Sequence, residues 1–141
     1  MAEDNTEEKK QLLQQKYMEM QMIAQQIQQI QKQVELIENQ LQELTVTKEA
    51  LKTVGETKEG NEILVPLASG IFIKANLKDN KDVVVNVGSG TAVKKSLDEA
   101  GKLIEEQEKE LADFKEELGK NLEKLTENAR SFEKELTALT T

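Results

Sequence analysis

Apolar residues recur at every third and fourth position along the first third of the chain. Leu13, Met20, Ile27, Val34 and Leu41 stand seven apart, until Lys48 breaks the column. A second column, three residues behind, holds Ile23, Ile30, Ile37, Leu44 and Leu51. Alternating steps of three and four paint one stripe on a helix and predict a coiled-coil seam. The glutamines between the columns keep that phase, which argues against an aggregation-prone low-complexity tract. A second arm starts at Ser96, an N-cap whose capping box is completed by Glu99. Leu97, Ile104, Leu111, Leu118, Leu125, Phe132 and Leu139 form its unbroken column. The companion column reads Ala100, Gln107 and Phe114 early, then Leu122, Ala129 and Leu136. The steps Phe114–Leu118–Leu122 predict a stutter that relaxes the supercoil, with Gly119 weakening the helix inside it.

Between the arms the period changes to that of strands. The pieces NEILVPLAS, IFIKANL, DVVVNVG and TAVKKS are divided by Ser69–Gly70, KDNK and Ser89–Gly90, which are hairpin signals. Pro66 cannot donate to a ladder and marks an edge or a strand end. The expected fold is α+β, predominantly α: a long antiparallel coiled-coil helical hairpin with two central β hairpins that join an oligomeric β-barrel. A parallel homodimer of each arm is the competing arrangement. The parts are an N-terminal coiled-coil helix over 1–54, a β-hairpin assembly module over 55–95 and a C-terminal coiled-coil helix over 96–141, one domain overall. Two hairpins of this size enclose no core, so the module is expected to join chains. Its candidate assembly stretches run from Ile63 to Leu67, Ile71 to Leu77 and Val83 to Val87, with Ile63, Val65, Leu67, Ile71, Ile73, Leu77, Val83, Val85 and Val87 foremost.

Composition narrows the function. The 141 residues carry a net charge of −8, a third of them are charged, and there is no Trp, Cys or His. Binding to nucleic acid or to an anionic membrane needs clustered cations and is not expected. An acidic surface suits a basic partner instead. Without imidazole or thiol the usual bases, nucleophiles and zinc sites are missing, so neither an enzyme nor a metal site nor a cofactor is expected. VGSGTAVKKS fits neither phosphate-loop pattern and reads as a turn between strands. The N-terminus lacks a signal-peptide pattern, and no apolar run approaches the roughly 20 residues of a membrane span, so a cytoplasmic protein is expected.

Leu12, Tyr17, Met18 and Met22 lie off the seam near one end of the first arm. In an antiparallel hairpin they fall near Phe132, Leu136 and Leu139, giving that tip more apolar surface than two helices cover. Methionine suits a surface that accepts many shapes.

A long heptad helix, two β hairpins and a second long helix together resemble the α-class subunit of prefoldin, of archaeal type. The most specific stretch is ILVPLASGIFIKANLKDNKDVVVNVGSGTAVKKSLDEA, with its VPL, Gly-ended hairpin and VNVG. The resemblance implies a hetero-hexamer of two α with four prefoldin β-type subunits, built on a double β-barrel platform. It implies a co-chaperone without ATP that grips unfolded polypeptides at its tips and passes them to a group II chaperonin. By location the tip positions are Leu12, Leu13, Tyr17, Met18, Met20, Met22, Phe132, Leu136 and Leu139. The rival reading is a structural coiled-coil scaffold or tether that binds one folded partner.

Overall fold

The computed structural model describes residues 2–140, and side chains from 6 to 139. Helix α1 runs over Ala2–Glu56. Strands β1 (Glu62–Ala68), β2 (Ile71–Asn76), β3 (Asp82–Asn86) and β4 (Ala92–Ser96) follow, and helix α2 takes Leu97–Thr140. The chain divides into two compact units. One holds α1 up to Asn39 with α2 from Leu111, and the other holds Gln40–Glu110.

The first unit is a pair of antiparallel helices. Lys16 pairs with Glu135, and Glu38 lies 3.2 Å from Lys115. Numbering thus rises on one helix as it falls on the other. Ile37, Leu118 and Leu136 are buried here, and the remaining seam columns on α1 from Leu13 to Val34 are half-buried. The stutter expected at Phe114–Leu118–Leu122 does not occur there. Lys115, Leu122, Ala129 and Leu136 are covered, while Phe114 is 48% exposed. In this unit the second column lies four residues behind the first, as expected for Leu122, Ala129 and Leu136, and Lys115 takes the place expected of Phe114. Lys115 fits that seam because its methylenes cover apolar surface while its ammonium reaches Glu38. Gly119 is carried inside an uninterrupted helix.

The second unit holds the other halves of the helices and both hairpins. At the start of α2 Ala100 is buried and Leu97, Gly101, Leu103 and Ile104 are half-buried; one turn on, Glu108 is half-buried whereas Gln107 is exposed. Lys48, the residue that breaks the α1 column, lies 3.4 Å from Glu108. A charge on each helix thus explains its opposite on the other.

The hairpins form two separate antiparallel sheets, β1 with β2 and β3 with β4. Ile63 faces Ala75 and Val65 faces Ile73, and the register shifts between Pro66 and Ala68. A proline, lacking its N–H, is tolerated at such an irregularity. Gly70 closes the two-residue turn with φ of 80°, a left-handed conformation that a side chain would strain. The base of this hairpin is tied by Gly60 N–H to Leu77 O (2.6 Å) and Leu77 N–H to Asn61 O (2.9 Å). In the link to β3, Asp79 Oδ1 accepts from Lys81 N–H at 2.8 Å and Asp82 N–H at 3.4 Å. The Lys81 bond chiefly holds the Asp79 carboxyl below its ordinary pKa. At the start of α2, Ser96 Oγ accepts from Glu99 N–H at 3.2 Å, and Asp98 and Glu99 place negative charge in the first turn.

Candidate functional site

Two regions carry more apolar surface than the single chain covers. In the first unit, Leu12, Tyr17, Met18 and Met22 are 42%, 55%, 65% and 60% exposed. The helical phase dictates this: all four stand outside the two buried columns of α1. The other expected tip positions behave differently. Leu13, Met20, Phe132 and Leu139 are half-buried in the seam, and Leu136 is buried. Phe132 has a further cover. The Lys16 ammonium sits 4.8 Å from its ring centroid and pairs with Glu135, so a cation–π contact and an ion pair share one donor.

The second region is the β module. Of the expected assembly positions, Ile63, Val65, Leu77, Val83 and Val85 are half-buried, whereas Leu67, Ile71, Ile73 and Val87 are exposed. Val83 and Val85 line a cleft of about 760 Å³ with Leu44, Leu51, Ala100 and Ile104. Ala100, read above as a seam residue, is buried beside this cleft. Leu64 and Phe72 on β1–β2 and Val84 on β3, within the expected stretches, are exposed as well, and so is Val93 on β4, outside them. Strict alternation assigns one face of each strand to the interface. Leu64, Pro66 and Phe72 occupy the other face of β1–β2, so that hairpin is apolar on both sides. The clue was already present in an apolar run too dense for alternation.

VGSGT forms the β3–β4 turn. Gly88, Ser89 and Gly90 all have positive φ, Val87 N–H donates to Thr91 O at 3.0 Å, and Asn86 Oδ1 accepts from Gly88 N–H at 3.0 Å. Lys94 turns to Asp82 at 3.4 Å. Among the described residues no three His, Cys, Asp or Glu side chains are grouped to hold a metal ion, and no helix is long and apolar enough to cross a membrane.

The prefoldin subunit family matches residues 23–141. The chain belongs to the prefoldin family. A prefoldin subunit alpha of Thermofilum pendens is 34% identical over 84 residues, 60% of this chain and 65% of that protein. A prefoldin subunit alpha of Pyrococcus horikoshii is 36% identical over 110 residues, 78% of this chain and 72% of its own length. The chain spans only 49% and 45% of two further prefoldin alpha subunits it matches. A filamentous PFD from Methanocaldococcus jannaschii, solved by cryo-EM, shares the fold with a TM-score of 0.72 at 23% identity, covering 79% of this chain and 92% of that one. The span matched to prefoldin takes in both hairpins and all of α2 that is described. It leaves out Leu12 to Met22, the residues that expose the apolar end of α1.

Proposed function

We propose that this chain is an α-type prefoldin subunit acting as an ATP-independent holdase. It captures unfolded polypeptides on exposed apolar side chains at the ends of its arms and passes them to a group II chaperonin. The observation that carries this reading is the cluster of four exposed off-seam residues, Leu12, Tyr17, Met18 and Met22, within eleven positions of one helix. Two methionines give the cluster an adaptable surface, suited to clients of no fixed sequence. Each contact is weak, and several arms in one assembly multiply them, raising avidity by roughly 10²–10⁴.

The arms over 1–54 and 96–141 do the binding in this account, and the module over 55–95 joins two α with four β-type subunits. Exposed strand edges and the two-faced apolar β1–β2 hairpin support the joining role, because such surfaces associate in water. The work is done by burial alone, without chemical catalysis.

The test is light scattering of a chemically unfolded protein diluted into the assembled complex without nucleotide. The wild-type complex is expected to keep the solution clear, and Met18→Asp with Met22→Asp to lose that effect while assembling normally. Equal protection by the variant removes the client site from this end of α1.

A further inference from the structure

The first unit holds a groove of about 400 Å³ away from the arm's end, with a floor of Ile30 and Leu125 and walls of Gln26, Gln29, Asn121 and Lys124. Three of its four walls are carboxamides, in a chain a third of whose residues are charged. Seven residues make two turns of a coiled-coil helix, so residues seven apart share a stripe. The Gln29 stripe carries Met22 before it and Leu36 after it. The Asn121 stripe carries Phe114 before it and Asn128 after it, and Gln33 follows Gln26 in the same way. Met22, Leu36 and Phe114 are all exposed. They lie on the same stripes as the groove's walls and continue its line along the two helices.

We propose that this groove binds an extended, uncharged stretch of unfolded polypeptide through its backbone. The inference rests on the holdase reading and adds a second subsite to it. An extended chain brings one unsatisfied N–H and one C=O per residue. Each carboxamide offers two donors and an acceptor, so it bonds such a backbone whatever the side chains are. A folded helix has already satisfied its backbone groups and gains nothing from these walls. That line is also continuous with the apolar end of α1 through Met22. Fourteen residues separate Met22 from Leu36. At ~1.5 Å per helical residue that is about 21 Å, the length of roughly six residues of extended chain.

The probes are an uncharged peptide of about 12 Leu, Ser and Gly residues and its counterpart with alternate backbone nitrogens methylated. Binding of both to the assembled complex is followed by fluorescence anisotropy. Methylation is expected to weaken binding to the wild type about tenfold, the effect of losing one to two hydrogen bonds. Gln26→Ala with Gln29→Ala and Asn121→Ala, all at exposed positions, is expected to bind both peptides equally at the weaker level. A photocrosslinker at position 29 is expected to capture the peptide. Equal binding of the two peptides by the wild type, with both lost in Met18→Asp/Met22→Asp, overturns the groove and leaves the holdase reading standing. Crosslinking from position 29 to another subunit's helix also overturns it. If the wild type binds neither peptide and protects no unfolded protein, the holdase reading itself fails and the subsite goes with it.

Discussion

Replacing Leu118 with Ala and, separately, Phe114 with Gln tests the phase of α2. Leu118 is 6% exposed in the first unit, and truncating so buried a leucine costs about 2–5 kcal/mol. Phe114 is 48% exposed. A fully buried phenylalanine removes about 150–250 Å² from water, so Phe114 hides roughly 100 Å², worth about 2.5 kcal/mol at ~25 cal/mol per Å². The methylenes of glutamine keep part of that contact, which leaves a cost of about 1 kcal/mol. A stutter at Phe114 would instead put its ring in the seam and raise the loss to about 3–5 kcal/mol, level with Leu118. Urea unfolding followed by circular dichroism at fixed subunit concentration measures both. Equal losses for the two variants would put Phe114 back in the seam and refute this placement.

Lys115→Leu removes a solvent-screened ion pair with Glu38, worth about 0.2–1 kcal/mol, and places leucine in the seam, where partial burial contributes about 1 kcal/mol. The variant is expected to unfold at equal or slightly higher urea, and a clear drop in midpoint contradicts the seam assignment. Phe72→Asp puts a charge on an exposed face of β1–β2, so it is expected to leave helix content intact and to break the assembly in native mass spectrometry; an intact complex removes that face from the interface. Asp79→Ala loses the bonds from Lys81 and Asp82 N–H. Because the folded carboxyl titrates below its unfolded value, its contribution is present above the ordinary Asp range near pH ~3.9 and fades as pH falls through the folded value. The stability gap between wild type and this variant is expected to hold from pH 8 to 5 and to close on further acidification; a gap that closes above pH 5 points to another group.

Much of this architecture was legible from period alone. Every apolar residue assigned to the two α1 columns is covered, and the four strands lie where the turn residues divided them. In the second column of α2 Ala100, Leu122, Ala129 and Leu136 are covered as expected, and only Gln107 and Phe114 are not. Phe114 has the apolar side chain a seam favours, yet half-buried Lys115 takes that place, its ammonium at the partly exposed Glu38 carboxylate. Only the facing helix reveals that exchange. The amide groove was invisible for the same reason, since Gln29 and Asn121 lie far apart in the chain and become neighbours only when the helices pair. Leu136 was named for the tip by location, and its burial depends on a rotation that position along the chain does not specify.

The two-faced β1–β2 hairpin bears on how the protein must be supplied. With Val65 and Ile73 on one face and Leu64 and Phe72 on the other, no single neighbour shields it, and its edges stay open until partners arrive. A subunit synthesised in excess of its partners therefore carries a sticky strand pair of the kind its finished complex is proposed to guard against.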